Sequence, residues 1–413
     1  MKKLPLFLLF FFLANHAFPQ LAFKSTKKEN REKLFRNMVR NSINGNLSKP
    51  LNDSTEEYWQ DAFWAMLVTQ YKSPWINNKI HEAFTGLQIR SIEFKRSLLE
   101  MACALYPEQF TNEIKTLQES DTSILIFAMT EIYLANLPNA ENSTLLPQLK
   151  EKIISYPNNN LLQHLNEYIS KEPVFPNASE LTLLFGRNFL PGKELLISIQ
   201  RHNRNQPGLM VFRKADGKFV TDSNGIVVHY PQLARSLTNL PWFFRNGNTP
   251  QGLYRMAGFD VSGSSFIGPT PNLQMRMPFE IWPSQFISSE ATDSTWSIEK
   301  YNRLIPRELK TLSALYQSYF AGALGRTEII AHGTTVDPEF YKSTPFYPLT
   351  PTQGCLTAKE IWDENTGILK ESDQRKMVDA LLIAGGAKGF VLVIEIDDQQ
   401  RPVELSDLLP YIE

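Results

Sequence analysis

Leu195-Leu196-Ile197-Ser198-Ile199-Gln200, a turn over 201–207, then Gly208-Leu209-Met210-Val211-Phe212-Arg213: in this stretch the apolar period of the chain shortens towards two. Two such runs with a turn between them predict a pair of strands. Ala215-Asp216-Gly217 predicts a second tight turn before Lys218-Phe219-Val220. Farther on, 327–331 and 389–396 predict two more strands. The core of the latter, Phe390-Val391-Leu392-Val393-Ile394, is almost wholly apolar, the pattern of a central strand. Helical spacing over 306–320 and 372–384 inserts helices among the strands.

Upstream the period is helical. Apolar residues recur every three or four positions over 59–71, 89–105, 124–137 and 145–154, with Pro74, Pro107, Pro138 and Pro157 as stops and Asp53 and Ser54 as caps. Helices of this length joined by short turns suggest antiparallel hairpins stacked side by side, in the manner of a small α-solenoid, although no fixed-period repeat is visible. Trp59, Trp64, Tyr71 and Trp75 read as core residues. The segment 171–177, with Pro173 and Pro176, marks a boundary. The expected fold is therefore α+β: an all-α helical-hairpin domain over 26–172, then a mixed β-sheet or β-sandwich domain over 178–413 with inserted helices.

A chain of 413 residues exceeds what one core usually organises, which agrees with two domains. A net charge of −1 offers no basic face for a polyanion, so nucleic acid is not expected as a partner. Lys2-Lys3, the apolar run from Leu4 to Ala14, and the small-residue end near Ala17 and Gln20 have the order of a secretory signal peptide. Cleavage after residue 20 would remove two lysines and no acid, leaving a charge of −3. The run is short for a permanent span. The expectation is a chain exported to the periplasm or cell envelope, with no stable membrane span after cleavage.

Only two cysteines occur. Cys103 lies in Leu98-Leu99-Glu100-Met101-Ala102-Cys103-Ala104-Leu105, an apolar helical pattern, and reads as a small buried hydrophobe. Cys355 lies in Thr350-Pro351-Thr352-Gln353-Gly354-Cys355-Leu356-Thr357, ahead of an expected helix start at Ala358-Lys359-Glu360-Ile361-Trp362. Twenty-odd residues earlier, Ile329-Ile330-Ala331-His332-Gly333-Thr334 delivers a histidine from a strand into a turn. A thiol is mostly protonated at neutral pH; a neighbouring imidazole and a helix N-terminus both favour the thiolate. A glycine before the nucleophile clears its approach, and backbone N–H groups at Gly354 and Cys355 would suit a developing oxyanion. The residues alone leave open a buried strand-end cysteine and a turn-capping histidine.

The ordered combination His-Gly-Thr … Thr-x-Gly-Cys resembles the signature of the L,D-transpeptidase catalytic domain (YkuD-type). The upstream run Arg245-Asn246-Gly247-Asn248-Thr249-Pro250-Gln251-Gly252-Leu253-Tyr254 resembles that family's Thr-Pro-x-Gly segment. The resemblance covers about 180–396 and leaves the helical part outside. It implies Cys355 as nucleophile, His332 as base, Gly354 beside the oxyanion site, and Thr352 as the residue whose backbone orients the imidazole. It places Gly333, Thr334, Gln353 and Thr357 around the substrate, and Thr249, Pro250 and Gly252 beneath the pocket as structure. It implies peptidoglycan stem peptides as substrates, acyl transfer through a thioester, and neither metal nor other cofactor. The remaining histidines, His81, His164, His202 and His229, lack ligand-type spacing.

The chain departs from the family pattern at Gln353, where a second His is frequent, and at Thr357, where Arg or Asn is common. Loss of an Arg removes a carboxylate-binding group, for which Arg255, Arg276 and Arg326 are the replacements to consider. The segment between His332 and Cys355 is rich in aromatics and proline, from Phe340 to Pro348. Two rivals follow: a carboxypeptidase or amidase of the cell wall, and a non-catalytic cell-wall binding module. In each case the helical domain could dock an envelope protein.

Overall fold

A computed structural model describes residues 21–138, 140, 142–288 and 294–412. The expected signal peptide, 1–20, lies outside the described residues. Among the described residues no helix is long and apolar enough to cross a membrane.

The first half is helical: α1 (Lys28–Asn37), a π-helical turn (Met38–Gly45), α2 (Glu56–Thr69), α3 (Pro74–Phe84), α4 (Ile92–Leu105), α5 (Thr111–Ser120), α6 (Ile124–Ala135), α7 (Asn142–Ser155), α8 (Asn160–Ser170) and α9 (Ala178–Phe185). Ser73, Ser91, Ser123 and Asn159 cap α3, α4, α6 and α8, each side-chain oxygen accepting the N–H three residues on. That satisfies a donor which a first turn leaves open. Asp53 and Ser54 do not cap as expected. Thr55 precedes α2, and Asn52 Oδ1 takes the N–H and hydroxyl of Ser54, so the turn is organised one residue earlier.

α2 packs on α4, α4 on α6 and α6 on α8, so alternate helices share a layer. Trp59, Phe63 and Phe94 stack edge to face through it, with ring centroids 6.3 and 5.6 Å apart. α6 is buried over 126–134 because it has neighbours on both sides, which explains its all-round apolar sequence. Trp75, expected in the core, is 41% exposed; it lies in the first turn of α3, whose buried face is Ile76, Ile80, Ala83 and Phe84.

The second half adds β1 (Leu195–Arg201), β2 (Gly208–Arg213), β3 (His229–Gln232), β4 (Gly252–Asp260), β5 (Asn272–Arg276), α10 (Pro283–Ile287), α11 (Ile298–Tyr301), α12 (Gln317–Ala323), β6 (Ala331–His332), β7 (Leu356–Thr357), β8 (Glu360–Trp362), β9 (Leu369–Ser372), α13 (Asp373–Ala384) and β10 (Phe390–Asp397). Eight strands form one sheet in the order β3-β2-β1-β10-β4-β5-β6-β7, and β8 pairs with β9 separately. β10 runs parallel to β1, and β6 parallel to β7. Leu233, just past β3, exchanges both backbone bonds with Thr357 of β7 at 2.8 and 2.9 Å, so the sheet nearly closes on itself.

β1 and β10 are apolar at successive positions because both faces are covered. Leu195, Ile197, Ile199, Phe390, Leu392 and Ile394 pack with Leu181, Phe185, Phe286, Tyr301 and Leu315. Leu196, Val391 and Val393 face the other way, into a core that takes in Met377 and Leu381 of α13 and continues without a break into the helical layer.

Three local expectations fail for identifiable reasons. The strand over 327–331 shrinks to Ala331–His332, since Glu328 sits at φ 62° and its N–H goes to Glu280 Oε1, 2.9 Å, instead of a ladder partner. The helix over 306–320 is broken into short 3₁₀ turns and α12, because Ser318 N–H donates to Gln251 O, 2.8 Å. The helix expected from 358 is instead strand β8, held against β9.

Helices and sheet are also joined by polar contacts. Glu100 of α4 is buried, and its carboxylate accepts from Asn246 N at 2.6 Å and Asn246 Nδ2 at 2.9 Å. Arg96 donates to Leu324 O, Arg31 of α1 donates to Thr335 O, and the His164 ring meets Trp242 edge-on. A shared core predicts one unfolding transition for both halves. Glu100→Ala should lower stability by about 1–3 kcal/mol by leaving two half-buried Asn246 donors unpaired. Urea titration followed by tryptophan fluorescence and far-UV circular dichroism checks both the single transition and the shift.

Candidate active site

The short ladder of β6 and β7 pairs Ala331 with Leu356 and His332 with Thr357. Leu356 N donates to Ile330 O and Ala358 N to His332 O. Ala331 and Leu356 point into the large core. In a strand, side chains alternate between faces, so His332 and Thr357 share the face opposite Ala331 and Leu356; Cys355 lies one residue before β7, and the alternation continued to it would bring it to the His332 face. Adjacent strands about 4.8 Å apart and a two-residue offset of about 6.6 Å put the His332 and Cys355 backbones roughly 8 Å apart on a diagonal. Diagonal neighbours at such a spacing are within reach of long side chains. On the same face, Leu233 forms a small cluster with Phe346 and Leu349, so the aromatic segment between the two motifs forms a wall beside the pair.

His332 is 3% exposed, and its Nδ1 lies at hydrogen-bond contact with Gly333 O. A carbonyl only accepts, so Nδ1 carries the proton and Nε2 the lone pair. Burial pushes the imidazole down to about 4, only partly offset by that bond, so the ring is neutral at physiological pH. The orienting carbonyl is Gly333's. Thr352, given this role by the resemblance, uses its carbonyl to accept Leu237 N–H at 2.6 Å, while its hydroxyl donates to Cys355 O at 3.0 Å and accepts from Gly354 N at 3.2 Å. The Gly354 N–H, expected at the oxyanion site, is thus already engaged.

Cys355 is half-buried, and its thiol points to Glu328 O at 3.6 Å. Burial pushes it up to about 11, against the opposing pull of the Ile330 backbone and Arg326. With β8 in place of a helix, the helix N-terminus expected to lower that value is missing. At neutral pH Cys355 is therefore a thiol, turned to Glu328 O, and His332 a neutral imidazole held on Gly333 O. Cys103, by contrast, is packed in the helical core with its thiol raised much further by burial.

Gly354 sits at φ 110°, and a Cβ there would lie 1.9 Å from Arg326 Nη2 and 2.5 Å from Gly247 O. Its carbonyl accepts from Thr249 Oγ1 at 2.8 Å, which ties the Thr-Pro-x-Gly segment to the cysteine turn. Thr334 and Thr357, expected around the substrate, are sealed. Thr357 is 0% exposed and donates to Thr350 O at 2.8 Å, while the Thr334 hydroxyl accepts from Val336 N and its carbonyl from Trp362 Nε1. Gly333 is packed against the Glu360 carboxyl, which a Cβ would meet at 2.1 Å. Gln353 alone of that group is exposed. Of the three arginines considered, Arg276 donates to Met275 O and Arg255 lies over the Phe390 ring. Arg326 is beside the cysteine turn but 2% exposed, so it does not reach a substrate carboxylate in solvent.

Reading the motifs missed three groups. Glu280 accepts from Glu328 N and Met277 N, and burial raises its carboxyl despite those bonds. Glu328 itself supplies the carbonyl under the sulfur. Glu360, behind the His332 turn, accepts from Ser372 Oγ at 2.8 Å and is pushed up to about 7 by burial. None stands out in the motifs, since Glu280 meets Glu328, and Glu360 meets Gly333, only through the fold.

No family model, curated protein or solved structure matches the chain. The resemblance rests on the motifs themselves.

Two outcomes follow from these protonation states. Iodoacetamide labelling of Cys355 at pH 8 should run about 100-fold or more below a free thiol and rise about tenfold per pH unit up to pH 10, a trend that mass spectrometry of the labelled peptide would follow. Because the Glu360 carboxyl is raised in the fold, its stabilising contribution is complete below about pH 4.5 and is lost as pH rises through about 7. Glu360→Gln should therefore gain roughly 2–3 kcal/mol over wild type between pH 4 and pH 8, measured by urea unfolding at each pH.

Proposed function

We propose that the chain is an exported cysteine acyltransferase of peptidoglycan stem peptides, an L,D-transpeptidase-like enzyme with Cys355 as nucleophile and His332 as base. The observation that carries this reading is the short β6–β7 ladder, which brings the His332 strand beside the turn holding Cys355, with the imidazole Nε2 unprotonated. The motif order and the contact of Thr249 with Gly354 agree with it.

In the first step the thiol proton moves to His332 Nε2 as the sulfur attacks the carbonyl of the diamino acid preceding a terminal D-alanine. The C–N bond breaks, and the imidazolium returns the proton to the departing amine. An amine of a second stem then attacks the thioester, gives its proton to His332, and the thiol is restored. Water in place of that amine gives carboxypeptidase action. Since the resting pair is neutral, proton transfer accompanies attack and does not precede it. The rotation that takes the thiol from Glu328 O to the imidazole belongs to substrate binding, in line with the looseness of catalytic hydrogen bonds in empty sites.

A binding module is the second reading, favoured by the high thiol value and by the sulfur's present contact with Glu328 O. Incubation of mature protein with tetrapeptide muropeptides, analysed by mass spectrometry, separates the cases. Cross-linked products with loss of D-alanine support transfer, and uncross-linked tripeptides support hydrolysis. Cys355→Ala should abolish either product; identical profiles for wild type and variant would leave only the module.

A further inference from the structure

Arg326 lies just before the histidine-bearing strand, and its guanidinium is buried between the 242–248 loop and the cysteine turn. Nη1 donates to Trp242 O at 2.6 Å and Asn248 O at 2.9 Å, and Nη2 donates to Gly247 O. Nε has no acceptor, so the fork keeps unused donor capacity. Gly354 admits this arrangement because it has no Cβ: any larger residue would collide with Nη2. The loop is held from its other side by Glu100, whose carboxylate takes both Asn246 donors. A buried cation whose direct contacts are three carbonyls is costly, and the Glu100 carboxylate and the Cys355 side chain are among the nearby groups that offset the cost.

We propose that Arg326 is the positioning residue of the site, its guanidinium clamping the 242–248 loop beneath Gly354 and supplying the fixed positive charge that stabilises the Cys355 thiolate once the proton has left. This rests on Cys355 being the nucleophile. Glu100 makes the helical layer part of the same device, since it braces the loop to which the fork is bound. Among the charged groups that act most on Cys355, Arg326 favours the thiolate, whereas Glu328 and Glu280 oppose it. Those facing Arg326 are Tyr254, Glu100, Cys355 and Arg204. Burial pushes the guanidinium down to about 10, so it is charged at neutral pH. Its charge is shielded from salt by burial.

The test is the rate of iodoacetamide labelling of Cys355 at pH 8 in full-length mature protein carrying Cys103→Ala. Arg326→Met should label about tenfold more slowly than the parent, whereas Arg326→Lys, which keeps the charge, should stay within about threefold and lose kcat in cross-linking. A merely structural role predicts the opposite sign, because a loosened turn exposes the sulfur and labels faster. Equal or faster labelling of a folded Arg326→Met overturns the proposal. Should that variant fail to fold, Arg326→Lys decides: a tenfold slower rate with the charge retained overturns it, and a rate within threefold together with lowered kcat supports it. Labelling needs no turnover. Failure of cross-linking in wild type would therefore sink the enzymatic reading while leaving the Arg326 result legible on its own.

Discussion

Two residues of parallel ladder, Ala331–His332 against Leu356–Thr357, hold the site together and close the sheet. On one side they continue from β5; on the other, Thr357 meets Leu233, so the last strand is tied back to the first. Shifting this register by one residue would send His332 into the core and bring Ala331 out. What prevents the slip is the packing of Ala331 and Leu356 among the core side chains, together with the Gly333 backbone pressed on Glu360. The placement of His332 is thus set by apolar packing on the face that does not bear it.

Burial has opposite consequences for the two partners. It lowers the imidazole and raises the thiol, since each loses its charged form when water is withdrawn. The thiol and the imidazole are therefore both neutral at physiological pH. Arg326 is the counterweight: it is too buried to greet a ligand, yet close enough to influence the sulfur.

Much of the fold was legible in the sequence because periodicity reports local burial. The helices near 92–105 and 124–135, the β1–β2 pair and the central place of β10 all follow from runs whose apolar spacing matches their neighbours in the structure. The failures share a cause. Glu328, Ser318 and the residues after Ala358 take their conformation from partners that apolar spacing does not reveal: Glu280 and Gln251 far along the chain, and the nearby β9 strand. At the site, the motifs pointed to His332, Gly354 and Cys355. They did not foretell that Thr334 and Thr357 would spend their hydroxyls internally, or that Gly333 O would orient the ring. Arg326 could be named but not assigned, because its partners come from 242–248.

The parallel pairing of β10 with β1 has a kinetic consequence. Leu195 meets Phe390 across almost two hundred intervening residues, and β10 also supplies the ladder for β4. No earlier strand can take that place, so until β10 arrives both β1 and β4 present open, apolar edges. Loop closure over such a distance is slow, and unfilled edges invite pairing with other chains. The helical layer, rich in contacts between neighbours in sequence, can form sooner. A nascent molecule would then hold much of its helical layer beside an unfinished, sticky sheet.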